Sequence, residues 1–330
     1  AQGRQAQNLS HANRTEMDLA GGDPNGTDDT SATSPQAAQG PTSWEIHEDE
    51  LTLLGQVGEG TTAIVYMGRL RGKTVAVKEI HALQDDPDGV MVQAVQRELR
   101  VLSKAHHPNI LQFVGLVTKS MPLQVVLEFC AGGSLFELLH NHWNIPLSWK
   151  EQRLKFLLDT AKATDYLHNF DPPIVHRDLK SLNLIILEPI TDQFVVPHVK
   201  LSDFGLARFQ EASKMTQGVG TKHWTAPEVL SGTNYTDKAD VFSFAMVAYE
   251  VVCRHVPFER LDPTTVARMT KEGKRPDLED EGVVPKQVPV GLSQLIILCW
   301  DQKPERRPSF SQIVRLLEVI EERALENVAS

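Results

Sequence analysis

Strand-type and helix-type patterns occupy separate parts of this 330-residue sequence. Three β-branched, partly alternating segments, at 51–60, 63–70 and 73–80, are separated by glycine-containing turns and predict successive antiparallel strands. From about residue 134 onward, helical periods dominate. A chain that separates its strands from its helices in this way is typical of the α+β class. We therefore expect a small β-rich lobe, a larger α-rich lobe and a cleft between them.

The helical part contains three segments with different amphipathic patterns. Segment 146–161 carries the pattern of a capping box, Ser148 with Glu151, at the start of an amphipathic helix. Segment 240–252 is apolar almost all round, which is typical of a helix buried at the centre of a domain. Segment 310–325 has one apolar and one charged face, and we expect it to close the domain as its last helix.

Residues 1–43 differ in composition from everything that follows. They are rich in Gln, Asn, Gly, Ser, Thr and Asp and contain few large apolar residues. Such a segment cannot bury enough surface to offset the entropy of ordering, so we predict a disordered, acidic and polar tail. A tail of this kind can dock a partner protein, and composition leaves that alternative open.

The overall charge and the cysteines argue against several classes of protein. The formal net charge of −10 at pH 7 argues against a nucleic-acid-binding protein and is compatible with basic partners. The three cysteines, Cys130, Cys253 and Cys299, show no metal-binding or paired spacing, which favours a reducing compartment. No apolar run reaches the roughly 18 residues of a membrane span. These features predict a cytoplasmic protein, with the nucleus as an alternative.

A dense polar cluster, HRDLKSLN, lies between two apolar runs at 176–183. It places imidazole, acidic, basic and amide groups within one short loop. The flanking runs, PPIV and LIIL, can fix such a loop to a core. A solvated loop would be the plain alternative, whereas a catalytic loop needs partners elsewhere in the chain.

Candidate partners for this loop occur on both sides of it. Gly58–Val65 is a strand–turn–strand segment whose glycines let a backbone approach phosphate oxygens, although such glycines are more often plain turns. Lys78 closes the strand segment VAVK. Glu98 lies on an apolar helical stripe, where an unpaired carboxylate is costly, so we expect it to pair with Lys78. After the loop, Asp203 stands in LSDFGLAR behind a β-branched run.

These motifs occur in the order found in eukaryotic protein kinases, and the chain resembles that family over about residues 44–325. The matching elements are the glycine loop, Lys78, Glu98, His176-Arg177-Asp178, Asn183, Asp203-Phe204-Gly205, Ala226-Pro227-Glu228, Asp240 and Arg307. Within the superfamily, HRDLKSLN, GTKHWTAPE, DVFSFAMV and CWDQKPERRPSF are most similar to the tyrosine-kinase-like group, which includes the Raf, mixed-lineage and plant Raf-like serine/threonine kinases.

The resemblance implies a bilobal kinase fold of the α+β class. The small lobe, 44–127, would hold an antiparallel sheet with one helix, and a hinge would span 128–132. The larger lobe, 133–325, would be mainly helical, and residues 326–330 would form a short C-terminal tail. These bounds leave 1–43 as the disordered tail.

The resemblance also implies transfer of the γ-phosphoryl group of ATP to a protein hydroxyl, in intracellular signalling. Asp178 and Lys180 would be the catalytic residues. Asn183 and Asp203 would bind Mg²⁺, with Mn²⁺ as an alternative. The residues implied for ATP binding are Val57, Gly58, Glu59, Gly60, Val65, Ala76, Lys78, Glu98, Glu128, Cys130 and Ile185, with Leu127 at the gatekeeper position.

Specificity and regulation depend on fewer residues. Lys180 and Thr221 match the serine/threonine pattern, although WTAPE also occurs in tyrosine kinases. Arg177 implies regulation by a phosphate on the segment after Asp-Phe-Gly, with Thr216 and Ser213 as candidate phosphosites. An upstream activating kinase would then be a partner beside the protein substrate. The alternatives are a pseudokinase scaffold and a tyrosine or dual-specificity kinase.

Several residues depart from the pattern or have expected structural roles. Ala63 replaces the third glycine of the loop, and the stretch between Asn183 and Asp203 is long, which predicts an expanded hairpin. Leu182 stands where some basic-directed kinases carry an acid, so no substrate consensus is inferred. The residues expected to be structural are Glu228 and Arg307 as a buried pair, Cys299 and Trp300 as core, and Cys130 as a small linker side chain.

Overall fold

The computed structural model of the protein describes residues 44–60, 63–81, 93, 95, 99, 103–118, 122–203, 221–233, 235–280 and 282–329. The predicted disordered tail at 1–43 lies outside these residues, as do Glu98, Ser213 and Thr216. What the sequence predicts for them therefore stays a prediction.

The first part of the described chain forms a five-stranded sheet with the strand order β1-β2-β3-β5-β4. Neighbouring strands are antiparallel throughout. The strands are β1 (Leu51–Glu59), β2 (Ala63–Leu70), β3 (Lys73–Ile80), β4 (Phe113–Val117) and β5 (Leu123–Glu128). The first three are the strands that the alternating segments predict, and short turns make them neighbours in the sheet.

Helices make up most of the rest of the described chain. They are α1 (Leu135–His140), α2 (Leu154–His168), α3 (Pro227–Leu230), α4 (Asp237–Cys253), α5 (Pro263–Lys271), α6 (Leu292–Cys299) and α7 (Phe310–Ala329). Residues 93, 95 and 99 are also helical, and Val95 and Leu99 are buried in the same core as Ile80. A sheet followed by helices confirms the predicted α+β class.

Helix α4 lies at the centre of the helical part. Every residue from 239 to 253 is buried, and α2 and α6 pack against the helix. Full burial of a side chain such as Phe242 or Phe244 contributes about 1.5–3 kcal/mol relative to exposure. The prediction of a buried central helix is confirmed. Helix α7, whose apolar face includes Phe310 and Ile313, packs along α2 as the predicted closing helix.

The predicted capping box at Ser148 forms with a different partner. The N–H of Glu151 donates to Ser148 Oγ over 3.1 Å, as predicted. The reciprocal bond is made by Gln152 Oε1, which accepts the N–H of Ser148 over 3.0 Å, so the prediction of Glu151 for that role was wrong. The reason is that residues Trp149–Arg153 form a π-helical turn, which is one residue wider than an α-turn.

The expanded hairpin predicted between Asn183 and Asp203 is present. It consists of β6 (Leu184–Ile186) and β7 (Val199–Leu201), which pair antiparallel around the loop 187–198. The buried side chain of Gln152 donates to carbonyl oxygens of this loop and holds it to the helical part.

The predicted hinge lies between the sheet and the helices. Strand β5 ends at Glu128 and α1 begins at Leu135, while the predicted lobe bounds themselves stay predictions. None of the helices in the described part of the chain combines the length and the apolar character that a membrane crossing requires.

Candidate active site

The polar loop 176–183 folds so that its functional groups converge on Asp178. Lys180 Nζ lies 2.7 Å from Asp178 Oδ2. The amide nitrogen of Asn183 donates to the backbone oxygen of Asp178 over 2.8 Å and to Oδ2 over 3.2 Å. Asn183 reaches back because Ser181–Asn183 forms a tight 3₁₀ turn. One carboxylate, one ammonium group and one amide therefore form a single cluster.

Asp240, in the first turn of α4, holds the backbone at the start of this loop. Its carboxylate accepts the N–H groups of His176 and Arg177 over 2.8 and 2.9 Å and also contacts His168 Nε2 at 2.8 Å. Arg177 has a φ of 72°, which is costly for a non-glycine residue and persists only when its surroundings impose it. Burial alone would raise the pKa of Asp240, but the hydrogen bond and charge of His168 hold the pKa below its usual value.

The hairpin β6–β7 places Asp203 beside this cluster. Ser202, the residue before Asp203, donates its N–H and its hydroxyl to the backbone oxygen of Asn183 over 2.9 and 3.0 Å. The imidazole of His176 contacts the backbone oxygen of Ser202 at 2.9 Å. Asp203 has a φ of 61°, so its backbone is also in the left-handed region. The two predicted metal-binding residues therefore lie at the paired ends of two strands.

Lys78 reaches Asp203 from the sheet. Its Nζ lies 2.5 Å from Asp203 Oδ1, and the lysine is 8% exposed. Burial by itself would raise the pKa of Asp203, but the charge and hydrogen bond of Lys78 leave the pKa below its usual value. The predicted partner of Lys78, Glu98, lies outside the described residues. The described contact is with Asp203, which joins the sheet to the polar loop.

The apolar residues implied for ATP binding and for the gatekeeper position are all partly exposed. Val65, Ala76, Leu127 and Ile185 are half-buried, and Val57 is 55% exposed. Ala76, Leu127 and Ile185 each lie next to a fully covered residue of the same strand, namely Val77, Val126, Leu184 or Ile186. Large side chains that stay accessible between buried neighbours are typical of the lining of a ligand cleft.

The backbone conformation at Gly58 and Gly60 does not require glycine. Neither has a positive φ, and a Cβ atom would meet its nearest neighbour at 3.8 Å for Gly58 and 3.6 Å for Gly60, which is ordinary contact. The fold would thus tolerate a side chain at both positions. Such open positions are compatible with the close approach of a ligand to the backbone, which glycine permits.

Glu128, one of the residues implied for ATP binding, makes hydrogen bonds through both its backbone and its side chain. Its N–H donates to the backbone oxygen of Gln112 over 2.9 Å, and its carboxylate accepts the N–H of Gln112 over 2.6 Å. Lys200 Nζ, on β7, lies 2.9 Å from the same carboxylate. This ion pair ties the end of the sheet to the strand that leads to Asp203.

The linker itself packs closely on the helical part. At Gly132 a Cβ atom would lie 2.7 Å from the backbone oxygens of Ile186 and Glu188, so only glycine fits there without movement. Cys130 is half-buried, and burial, aided by Glu128, raises the pKa of its thiol to about 12. A thiol of this kind is a poor nucleophile near neutral pH. Glu59, at the end of β1, is exposed and accepts a hydrogen bond from Gln56.

The expected structural residues lie where the sequence predicts them. Arg307 and Glu228 form a two-point ion pair, with N···O distances of 2.6 and 2.9 Å, and Arg307 is 2% exposed. Cys299 and Trp300 are buried in the core. These predictions are confirmed.

Glu250 contacts the polar loop, and the sequence analysis did not identify it as part of the site. It lies fully buried on α4, and its carboxylate accepts Ser181 Oγ over 2.7 Å and Trp224 Nε1 over 2.6 Å, and contacts His140 Nε2 at 3.0 Å. It therefore joins the polar loop to the segment before α3 and to α1. The signal was present, because a carboxylate within an apolar helix is costly unless it has partners.

The oxygen donors at the hairpin suit a hard divalent cation. The amide nitrogen of Asn183 is committed to Asp178, which leaves its amide oxygen as the atom that can bind a cation. The described contact of Asp203 falls on Oδ1. Carboxylate and amide oxygens are the ligands that Mg²⁺ and Mn²⁺ take. The donor set is therefore chemically compatible with the predicted metal ion.

Comparison with known proteins agrees with the family resemblance of the sequence motifs. The model of the protein tyrosine and serine/threonine kinase family matches residues 51–317. The chain is 38% identical over 281 residues to the probable serine/threonine-protein kinase drkC of Dictyostelium discoideum, covering 83% of this chain and 35% of that protein. It is 35% identical over 287 residues to the serine/threonine-protein kinase VIK of Arabidopsis thaliana, covering 84% of this chain and 62% of that protein.

A third relative carries a different specificity in its name. The chain is 34% identical over 298 residues to the dual specificity protein kinase splA of Dictyostelium discoideum, covering 87% of this chain and 12% of that protein. The chain spans less than two thirds of the length of each of these three relatives.

Proposed function

The chain belongs to the protein tyrosine and serine/threonine kinase family, and we propose that it is a serine/threonine kinase that phosphorylates a protein substrate with ATP. Membership of this family implies ATP, a divalent metal ion and a protein acceptor in general terms. The finer assignment to serine and threonine is supported by relatives named serine/threonine-protein kinases.

One observation carries the proposal. The contacts Asn183–Asp178–Lys180 and Asn183–Ser202–Asp203–Lys78 form one continuous network from the polar loop to β3, with the members in hydrogen-bond contact or adjacent in sequence. The carboxylate that we propose as general base, two cationic side chains and the two proposed metal-binding side chains are thus connected by described contacts. This set of groups is what transfer of a phosphoryl group requires.

In the proposed mechanism, Asp178 orients the hydroxyl of the acceptor and takes its proton as the acceptor oxygen bonds to the γ-phosphorus. The bond between that phosphorus and the β–γ bridging oxygen breaks, so that the products are ADP and a phosphoester. Lys180, 2.7 Å from Asp178, is close enough to neutralise charge on the moving phosphoryl group.

The residues on the sheet side would hold ATP. Lys78 would bind the α- and β-phosphates, and the backbone at Gly58–Gly60 would approach the phosphates where a side chain would interfere. The half-buried apolar residues would enclose adenine, and the backbone at Glu128 and Cys130 would bind its edge. The full set proposed for ATP is Val57, Gly58, Glu59, Gly60, Val65, Ala76, Lys78, Glu98, Glu128, Cys130 and Ile185.

Asn183 and Asp203 would hold the divalent ion, for which we propose Mg²⁺, with Mn²⁺ as the alternative. When bound, such an ion neutralises phosphate charge and fixes the phosphate geometry. The low pKa of Asp203 keeps this carboxylate ionised and ready to bind a cation near neutral pH.

Regulation and location remain part of the proposal. Arg177, whose guanidinium lies 5.7 Å from the ring of Tyr235, is the candidate receptor for a phosphate on Thr216 or Ser213 placed there by an upstream kinase. A Ser213→Ala/Thr216→Ala double variant with unchanged activity would count against this.

A cytoplasmic site of action is supported by the sparse free cysteines, of which Cys253 and Cys299 are buried.

The test is an assay of the whole chain with Mg²⁺-ATP and a generic protein substrate, with the new phosphate located by mass spectrometry. We expect phosphoserine or phosphothreonine, and a loss of at least about 10²-fold in rate for Asp178→Asn. Asp49→Asn, the same substitution at an exposed position on the turn Glu48–Glu50, should leave the rate unchanged.

Other outcomes would revise the proposal in defined ways. Phosphotyrosine beside phosphoserine would favour a dual-specificity kinase, the class named for splA. No phosphate with the wild-type chain, nor with a chain carrying acids at Ser213 and Thr216, would favour a pseudokinase.

A further inference from the structure

Two adjacent apolar side chains, Ile297 and Leu298, face solvent on the last turn of α6. They are 54% and 51% exposed, whereas Ile296 and Cys299 on either side are 1% and 0% exposed. The helix packs against α4 and α7, so the two exposed side chains lie on its uncovered side. Single exposed apolar side chains are ordinary, but adjacent ones beside charged groups are typical of a protein interaction site.

Segment 300–303, which follows α6 directly, is hydrogen-bonded to the end of α5. Arg275 donates to the backbone oxygen of Trp300 and to Oε1 of Gln302, each over 2.8 Å. Gln302 in turn donates from Nε2 to the backbone oxygen of Lys271 over 3.1 Å. These three bonds hold the end of α5 and the chain after it beside the last turn of α6.

Three exposed lysines lie on the two bonded segments, namely Lys271, Lys274 and Lys303. None of them forms an ion pair with a residue that the structure describes. Glu272, between the first two lysines in the chain, is instead paired with Arg268 at 2.9 Å. The positive charge of the three lysines is therefore not compensated by this carboxylate.

The acids beside Lys303 do not remove this positive charge either. Asp301 is half-buried, and its carboxylate accepts the backbone N–H of Lys303 over 2.8 Å. Glu305 is exposed and stands next to Arg306 in the chain, so these two charges offset each other. The surface next to Ile297 and Leu298 thus carries a net positive charge.

The acids that follow Arg275 in the chain lie elsewhere along α4. Arg275 itself stacks on Phe242 at 4.8 Å. Burial raises the pKa of Tyr249, and the charges of Asp280 and Asp277 add to this rise, which places these acids near Tyr249. The stretch of α4 from Phe242 to Tyr249 spans about 10 Å, more than the Debye length of about 8 Å at physiological ionic strength. These acids therefore contribute little at the three lysines.

We propose that this basic–apolar face, formed by Ile297, Leu298, Lys271, Lys274 and Lys303, docks an acidic segment of a partner protein. The segment would place apolar side chains on α6 and carboxylates beside the lysines. In a chain with a formal net charge of −10, a local group of uncompensated lysines selects for a partner of opposite charge and orients it. None of these residues belongs to the proposed ATP or metal site, so the proposal does not rest on the proposed function.

An anionic membrane is the other surface that basic and apolar groups fit. Recognition of anionic lipid typically takes clusters of about four to eight basic residues, and stable attachment takes a second anchor. Three lysines on a chain with a net charge of −10 fall short of such a cluster. The observations therefore favour a protein segment as the occupant.

The first experiment measures the binding of peptides of defined composition to the whole chain by fluorescence anisotropy. The probes are a peptide of Glu, Leu and Gly, a second peptide with Lys in place of Glu, and a third with Gln in place of Leu. We expect the Glu–Leu peptide to bind at least about 10-fold more tightly than the other two, and its affinity to fall with added salt. Equal affinity for the Glu–Leu and Lys–Leu peptides, or no binding of the Glu–Leu peptide below about 1 mM, would overturn the proposal.

The second experiment changes the charge of the face in two steps. Neutral and reversed variants carry Gln or Glu in place of Lys271, Lys274 and Lys303. Affinity for the Glu–Leu peptide should fall by about 5-fold in the neutral variant and by at least about 20-fold in the reversed one, because like charges then face each other.

A matched control makes the same change in net charge at three other exposed lysines. It is the variant Lys73→Glu/Lys104→Glu/Lys150→Glu, and it should lower the affinity for the Glu–Leu peptide by no more than about 2-fold. An equal loss in the reversed variant and in this control would show that net charge alone decides binding, and would reject the face.

The third experiment removes the apolar part of the face. Ile297→Ser/Leu298→Ser should weaken binding of the Glu–Leu peptide by at least about 5-fold. Phe194→Ser/Val196→Ser is the matched control, because these side chains are 77% and 59% exposed on the loop 187–198 and should leave binding unchanged. Unchanged binding in the α6 variant would reject the apolar half of the face and with it the proposal.

Vesicles of phosphatidylserine and phosphatidylcholine test the other occupant. Sedimentation of the whole chain with these vesicles, lost in the reversed variant and combined with no preference for the Glu–Leu peptide, would replace the partner protein with a membrane. Phosphoryl transfer is measured on the same variants and should be unchanged. A wild-type chain that binds the Glu–Leu peptide but transfers no phosphate would support the face and reject the proposed function.

Discussion

Two pairs of carboxylates in this protein are equally central but are used in different ways. On α4, Asp240 and Glu250 are fully buried, and each accepts hydrogen bonds from several donors on distant segments. In the cleft, Asp178 and Asp203 keep some exposure, and their described side-chain contacts fall on a single oxygen each. Asp240 holds backbone N–H groups of the polar loop and Glu250 holds three side chains, whereas each cleft carboxylate has one oxygen without a described contact.

We therefore expect the α4 carboxylates to matter mainly for stability and the cleft carboxylates mainly for activity. A buried carboxylate with all of its bonds made supports the fold, and removing its charge leaves donors unsatisfied. A cleft carboxylate with an unused oxygen contributes less to the fold and more to chemistry. The four predictions that follow test this division of roles between the two pairs of carboxylates, from the largest expected effect to the smallest.

The largest effect should come from Asp178→Asn. We expect kcat/KM for phosphoryl transfer to fall by about 10³-fold, since the general base is lost. The free energy of unfolding should change by less than about 1 kcal/mol, because an asparagine oxygen can still accept from Lys180 and Asn183. Steady-state kinetics and urea denaturation measure the two quantities. A loss of stability comparable to that of a buried-carboxylate variant would contradict the division.

The same substitution at Asp240 should reverse the pattern. Asp240→Asn replaces an oxygen that accepts backbone N–H groups and His168 with an amide that donates, and we expect a loss of about 3–5 kcal/mol in the free energy of unfolding. Urea denaturation of the two Asp→Asn variants side by side is the measurement. Full stability of Asp240→Asn would show that the α4 carboxylate is not structural.

A smaller effect is expected where the two regions meet at the hinge. Lys200→Met removes the contact with Glu128, which is partly exposed, so we expect a loss of about 1 kcal/mol in the free energy of unfolding and a rise of a few-fold in the KM for ATP. Lys162→Met removes an exposed ion pair with Glu318 and serves as the control. Identical kinetics of the two variants would exclude a role of the hinge ion pair.

The smallest effect concerns acid. The pKa values of Asp203 and Asp240 lie below their usual values in the fold, so the unfolded chain binds their protons more readily. Their stabilisation is present above the unfolded-state pKa of about 3.9 and is lost as the pH falls through the folded-state values. The free energy of unfolding should therefore fall below about pH 4, and less steeply for Asp240→Asn. An equal slope in wild type and variant would exclude Asp240 as a source of the acid sensitivity.

Sequence patterns predicted most of the fold because those patterns are local. The alternation in β1 to β3, the all-apolar character of α4 and the amphipathic face of α7 each depend on residues a few positions apart. The polar loop and its candidate partners were also identifiable, since their residue types and order suffice to recognise the resemblance. The first turn of α2 shows the limit, because its π-helical geometry exchanged Glu151 for Gln152 in the cap.

The sequence by itself thus determined the fold class, the order of the motifs and the residues that could do chemistry. Only the tertiary structure decided which carboxylates make structural contacts and which have an oxygen that can bind a ligand. Asp240 meets His176 across 64 positions, Glu250 meets Ser181 across 69, and Lys78 meets Asp203 across 125. Because a hydrogen bond depends on distance and angle in space, partners so far apart in the chain leave no local pattern.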